Sequence, residues 1–418
     1  MNLLEVWLDD ESLGGMARVG HLSKTASRRG DTVGFEYDPE WLAGKGPMAT
    51  FALDHELMLA SGTQFARAGA GALSGAFQDT SPDRWGQRLM DRREAIEARE
   101  QERRVRSLRA WDYLTGVHDE TRMGALRLRD PDSGRFVDEG MRSAPPITEL
   151  RELEAIAAQL ERGDADLSDE RVRWLRQILA PGASLGGARP KASFRDEAGR
   201  LWLAKFPSGD DNVDVGLWEF LAYRLALGAG IEMPEARLMR FSERGHTYTV
   251  KRFDRTRNSR RVFSSAMTRL DATHSEGHSY LDLVQAIETE GASTHIAHDL
   301  EQLFRRVLFN ILIGNRDDHL RNHGFLRTGD GWRLSPAFDV NPNLDKDHHV
   351  LAIDGDDASP DSGLLLATAD FYRLTGKVAA ALASQVRTAV GDWQRQARAL
   401  GASPREMALM QAIIDPDR

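Results

Sequence analysis

Two aspartates, two histidines, two asparagines and two arginines crowd into GNRDDHLRNHGFL, residues 314–326. Three chemistries would use such a set: a metal cage, a phosphoryl-transfer loop, or the polar end of a helix. His319 and His323 stand at i and i+4, the spacing of zinc-binding histidines on a helix. The run between them is Leu-Arg-Asn, without the glutamate that follows the first histidine of a zincin, and Arg321 would repel a cation. Asp317 and Asn322 are five residues apart, and a further carboxylate, Asp339, follows in SPAFDV. Hard oxygen donors of this kind suit Mg²⁺ beside phosphates.

The flanking segments must position these groups. In DLEQLFRRVLFNILIGN, Leu300, Leu303, Phe304, Val307, Leu308, Ile311 and Leu312 recur at helical spacing, and Gly314-Asn315 stop the helix. HGFLR and GWRLS read as two short strands around Thr328-Gly329-Asp330-Gly331, and Asp339 comes just after them. Helix, polar loop, hairpin, aspartate is also the order of the catalytic centre of protein kinases. There a loop aspartate takes the hydroxyl proton, an asparagine five residues on holds Mg²⁺, and the aspartate after the hairpin holds Mg²⁺ between phosphates. A polar helix end alone leaves Asp339 unexplained.

Such a site needs further parts upstream. KASFR and RLWLAKF pair around Asp196–Gly199, with Lys205 on the face shared by Leu201 and Leu203. A lysine facing a core is costly unless paired, and ATP phosphates with a helix carboxylate would pair it; a lysine snorkelling to water is the plainer alternative. Glu219, in the helix LWEFLAYRLALGAG, is the candidate carboxylate, although the same position also fits a solvent stripe. Ser184, Gly186 and Gly187 form a candidate phosphate-covering loop, with Arg189 and Lys191 as nearby cations. VKRFDR, residues 250–255, is a candidate connection where backbone groups of Lys251 and Phe253 would meet adenine.

The rest of the chain bounds these readings. At 418 residues and 46.6 kDa, two or three subdomains are expected. A net charge of −9 argues against coating nucleic acid by bulk charge. Without cysteine there is neither a disulfide framework nor a thiolate metal site. No stretch approaches the roughly 18 apolar residues of a membrane span, and MNLLEVWLDD carries no export pattern, so a cytoplasmic location is expected. Residues 2–8 read as a strand and lead into a β-leaning region to about residue 60. Residues 147–163 read as an amphipathic helix. The mixed charges of Arg92–Arg106 read as a solvated helix, and His348-His349 with Asp354–Asp357 as a solvated loop.

Taken together, ASLGGARPK, LAKF, WEFLAYRLALGAGI, VKRFDR, GNRDDHLRN and SPAFDVNPN resemble the HipA family, bacterial serine/threonine kinases that act as toxins of type II toxin–antitoxin systems. The resemblance is strongest over about residues 180–345, and SPDRWGQRLM resembles the family's N-terminal module. It implies an α+β, bilobal protein-kinase-like fold, with a β-rich N-terminal module and N-lobe and a mostly α-helical C-lobe. The expected divisions are 1–110 for the module, 111–179 for a connecting helical segment, 180–253 for the N-lobe and 254–418 for the C-lobe. By motif, Asp317 matches the catalytic base, Asn322 and Asp339 the Mg²⁺ ligands, and His319 an orienting group. Lys205 matches the lysine that contacts ATP phosphates, and Glu219 falls on the helix acid. Ser184 matches a serine whose autophosphorylation silences the kinase, as a dianion inside a phosphate-binding loop would. Arg321 stands where relatives often carry lysine, and Trp218 where they often carry asparagine.

The resemblance further implies a translation component as substrate, such as an aminoacyl-tRNA synthetase. It also implies a HipB-like helix-turn-helix antitoxin that carries most of the contact to operator DNA. The rival readings are a non-catalytic pseudokinase corepressor, a small-molecule or lipid-headgroup kinase, and a histidine-based zinc hydrolase.

Overall fold

Alternation in LLEVWLDD places Leu4, Val6 and Leu8 on one face, and all three are buried in strand β1 (Leu3–Asp10). The computed structural model describes residues 2–27, 30–67, 72–139, 144–162, 189–257 and 259–418. The chain forms two compact units, Met1–Gly209 with Asp254–Ser264, and Asp210–Phe253 with Ser265–Arg418.

The first unit is β-rich. With β2 (Gly15–Ser27), β3 (Gly30–Tyr37), β4 (Gln64–Phe65) and β5 (Leu126–Arg129), β1 builds a sheet of order β4-β3-β2-β1-β5. Two short helices, α1 (Pro39–Leu42) and α2 (Gly75–Gln78), precede the long α3 (Arg84–Glu100). Asp83 caps α3 by accepting from the Gly86 amide at 2.8 Å. The solvated-helix reading of Arg92–Arg106 needs correction. The helix stops at Glu100, and Glu94, which is buried, draws Arg103 and Arg106 back onto itself. Charge alternation alone does not reveal a carboxylate with two arginines folded over it.

Next come α4 (Ala110–Thr115) and α5 (Leu150–Arg162), the latter with Leu150, Leu153, Ala157 and Leu160 buried. The hairpin of β6 (Lys191–Arg195) and β7 (Leu201–Lys205) closes through Gly199, whose φ of 74° suits glycine. The segment Asp254–Ser264 returns to this unit. Asp254 accepts from the Gly124 amide at 2.7 Å, and the Val262 amide donates to buried Asp10 at 2.9 Å.

The second unit is mostly helical. It contains α6 (Val215–Gly228), the hairpin β8 (Ala236–Ser242) and β9 (Gly245–Lys251), and a short strand, β10 (Phe263–Ser265), that begins in the first unit. Then come α7 (Ala266–Arg269), α8 (Tyr280–Glu290) and α9 (Ile296–Ile313). The predicted hairpin appears as β11 (Gly324–Arg327) and β12 (Trp332–Leu334). The chain ends in α10 (Ser362–Ala367), α11 (Gly376–Gly391), α12 (Trp393–Leu400) and α13 (Pro404–Met410). Leu300, Leu303, Phe304, Val307, Leu308, Ile311 and Leu312 of α9 are all fully buried, and α9 packs against α8 and α11. Burying so many side chains at about 1.5–3 kcal/mol each makes α9 the rigid base for the polar loop at its C-terminal end.

Candidate active site

Helix α9 ends where Gly314 turns left-handed at φ 71° and its amide caps the Asn310 carbonyl. Only glycine fits comfortably there, since a Cβ would stand 3.0 Å from Ile413 Cβ and 3.2 Å from its carbonyl oxygen. The turn launches residues 315–323 across the end of the helix.

Asp318 anchors this loop from inside. Its Oδ2 accepts from the Tyr280 hydroxyl at 2.7 Å and from Asn310 Nδ2 at 2.8 Å, and lies 2.8 Å from His323 Nε2. Burial pushes the Asp318 carboxyl up, but the charge and hydrogen bond of His323 and the Tyr280 hydroxyl outweigh it and hold the group below the usual carboxylate range. The Tyr280 hydroxyl is pushed well above its ordinary value by burial, then by Asp318. Three donors on one buried carboxylate explain why the loop holds its shape.

With Asp318 turned inward, Asp317 turns outward. Its side chain is 53% exposed, and its Oδ1 is paired with the Lys346 ammonium. Asn322, in a single 3-10 turn Leu320–Asn322, is buried; its Nδ2 donates to the Asp317 carbonyl at 3.5 Å. Its Oδ1 is a buried acceptor with no hydrogen-bond partner among the described residues, an atom suited to a hard cation. His319, which precedes this turn, has a buried Nδ1 that is likewise unpartnered.

Asp339 is half-buried and adopts φ 56°, a left-handed conformation that aspartate tolerates and that is common where function holds a residue in place. Two contacts fix the approach to it. The Ala337 amide donates to the Glu232 carbonyl at 2.8 Å, and Phe338 stacks on Phe253 with ring centres 5.3 Å apart. Asn322, Phe338 and Val340 line one small cavity, which brings the asparagine and the Asp339 segment together. Among the described residues, no group of three or more His, Cys, Asp or Glu is arranged to hold a metal ion. His323 Nε2 lies against Asp318, while Nδ1 of His323, like that of His319, is buried without a hydrogen-bond partner among the described residues.

The upstream candidates divide between the units. In the first unit, Lys191 and Lys205 stand opposite each other in the β6–β7 register. Two ammonium groups opposite one another repel unless compensated. Lys191 is buried against Asp83 at 2.6 Å, and Trp85 Nε1 donates to the Lys191 carbonyl at 3.0 Å, so the SPDRW motif clasps the start of β6. Lys205 is buried at the end of β7.

In the second unit, Glu219 is buried in α6, so it lies on no solvent stripe. Burial pushes the Tyr248 hydroxyl well above its ordinary value, and the charges of Glu219, Tyr223 and Asp339 push it further. The Lys251 amide donates to the Glu235 carbonyl at 2.8 Å, so this N–H is not available to a base. Ser184, Gly186 and Gly187 lie outside the described residues.

Sequence reasoning missed Asp318 with its three donors, and Lys346. The doubled Asp317-Asp318 is the local signal that could have flagged one buried carboxylate. Nothing local marks Lys346, 29 residues from Asp317. His349, expected in a solvated loop, is instead buried, with neither ring nitrogen hydrogen-bonded among the described residues. Burial pushes its imidazole down to about 4. The acidic run beside it is solvated, with Gly355, Asp356 and Asp357 exposed.

Residues 183–402 match the family model for the HipA-like C-terminal domain. No curated protein matches the chain by sequence. Among solved structures, the HipA, HipB and operator DNA complex of the Shewanella oneidensis MR-1 toxin–antitoxin system contains a similar chain. It shares 15% identity and a TM-score of 0.57, over 98% of this chain and 94% of that one. The Helicobacter pylori proinflammatory kinase CtkA aligns over 54% of this chain and 88% of its own, at 13% identity and a TM-score of 0.39. The α+β architecture, with a β-rich first part and a helical C-terminal part, is thus that of HipA along nearly the whole chain.

Proposed function

The chain belongs to the HipA-like family, and from that premise we propose that it is an ATP- and Mg²⁺-dependent protein serine/threonine kinase acting as the toxin of a toxin–antitoxin pair. The observation that carries this reading is the buried, unpartnered Asn322 Oδ1, set in one cavity with the segment that presents Asp339. Mg²⁺ typically takes only one or two protein oxygens and leaves the rest of its shell to water and phosphate, which fits a site without a three-residue cage. Asn322 and Asp339 would hold the metal, which when bound neutralises phosphate charge as it shifts to the leaving group.

Asp317 orients the acceptor hydroxyl and takes its proton, an effect of about 10²–10⁴-fold for a positioned base. Lys205 and the glycine-rich loop with Ser184, Gly186 and Gly187 would bind the phosphates, and a backbone group of Phe253 would meet the adenine. Ser184 is the site of autophosphorylation in this reading. The acceptor is a translation component such as an aminoacyl-tRNA synthetase. The partner is a HipB-like helix-turn-helix antitoxin, in keeping with the HipA, HipB and operator DNA assembly of the similar structure. A net charge of −9 supports DNA contact made mainly through that partner, and the setting is cytoplasmic.

The test is incubation of the purified chain, with and without cell lysate, with γ-labelled ATP and Mg²⁺. Label should enter protein, including the Ser184 peptide, and disappear in Asp317→Asn and Asp339→Ala. Label in small molecules, or undiminished label in both variants, would refute the proposal.

A further inference from the structure

The loop after Asp339 delivers a cation to the very carboxylate that faces outward. Lys346 Nζ pairs with Asp317 Oδ1, while Asp317 Oδ2 has no partner among the described residues. An exposed ion pair is ordinarily worth little, because two long side chains must be ordered to make it. Here both ends hang from one small framework. Asn343 Oδ1 accepts from the Asp345 and Lys346 amides, each at 3.0 Å. The Asn343 amide donates to the Gly314 carbonyl at 2.9 Å, and buried Arg316 donates through Nη1 to the Lys346 carbonyl at 2.6 Å. The backbones on both sides of the ion pair are therefore fixed before the side chains meet, and the entropic cost of pairing falls.

We propose that Lys346 is a positioning residue for phosphoryl transfer: it pins one oxygen of Asp317 so that the other faces the acceptor hydroxyl. The proposal rests on the kinase reading above. In the transfer, the acceptor hydroxyl oxygen bonds to the γ-phosphorus while the bond from that phosphorus to the β–γ bridging oxygen breaks. ADP leaves with that electron pair, and the hydroxyl proton passes to Asp317 Oδ2. An ammonium has three N–H donors, and Lys346 uses one on Asp317. Its charge also offsets repulsion between the Asp317 carboxylate and the incoming phosphoryl oxygens. Asn343 and Arg316 act one step further out, by holding the lysine's backbone.

The experiment compares wild type, Lys346→Ala, Lys346→Met, Lys346→Arg and the neighbouring surface control Asp345→Ala. Transfer of γ-labelled phosphate, affinity for a fluorescent ATP analogue with Mg²⁺, and Tm are read for each. Lys346→Ala and Lys346→Met should lower kcat by about 10–100-fold, the scale of one lost charge-assisted hydrogen bond, with nucleotide affinity, KM for ATP and Tm near wild type. Lys346→Arg should recover most of the rate, and Asp345→Ala should match wild type. The methionine variant keeps most of the length of the side chain and removes its charge and its N–H donors, so wild-type kcat there overturns the inference while the kinase reading stands. A loss that appears in nucleotide affinity, or one equally deep in the arginine variant, overturns it too. A wild-type chain that transfers no phosphate removes both.

Discussion

At Asp317 the carboxylate is half exposed, whereas at Asp318 it is buried under three donors. Asp317→Asn removes an oxygen base but no buried bond, so phosphoryl transfer should vanish while the urea midpoint stays put. Asp318→Ala leaves Tyr280, Asn310 and His323 without their acceptor. It should cost about 3–5 kcal/mol of unfolding free energy, as losing one partner of a buried ion pair does, and depress activity through unfolding. Urea denaturation of the two variants side by side checks the contrast. Equal stability would show that Asp318 is no anchor.

Among the elements, α9 and α3 make separate claims. Gly314→Ala forces a Cβ into a left-handed residue and against Ile413, so it should cost about 1–3 kcal/mol in strain and shift the loop that carries Asp317. Thermal unfolding and phosphate transfer should fall together. In α3, the Arg103 hydrogen bond leads the groups that lower the Glu94 carboxyl from 4.5 to about 2. A carboxyl lowered on folding adds stability that is fully present above its unfolded value near 4.5 and is lost as pH falls toward 2. Glu94→Gln should therefore be less stable than wild type at pH 7, and the gap should narrow by pH 3. A gap that is constant with pH would mean that the ionic pairing contributes nothing.

For the molecule as a whole, net charge sets the expectation for nucleic acid. At −9 the isolated chain has little means of releasing counterions from a duplex, so a gel shift near physiological salt should show no retardation until a basic helix-turn-helix partner is added. Tight binding by the chain alone would place the DNA contact on this protein. Mg²⁺–ATP should raise Tm, by an amount that corresponds to about 2.7 kcal/mol at a hundred times Kd, and Asp339→Ala should abolish that rise. Among the described residues, no helix is long and apolar enough to cross a membrane.

Local order was readable along the chain wherever chemistry is local. The period of α9, the stop at Gly314, the turn of the β11–β12 hairpin and the place of Asp339 after it all derive from neighbours a few residues apart. So did the alternation in β1 and the cap on α3. What the linear pattern could not decide is which way a polar side chain faces. Asp318 inward, Glu94 under two arginines, Glu219 away from solvent, His349 buried and Lys346 brought to Asp317 each depend on partners far along the chain or on burial itself. A charged residue reads the same in sequence whether water or a buried partner satisfies it. Only the packed chain brings the distant partner, or excludes the water, and so settles the choice.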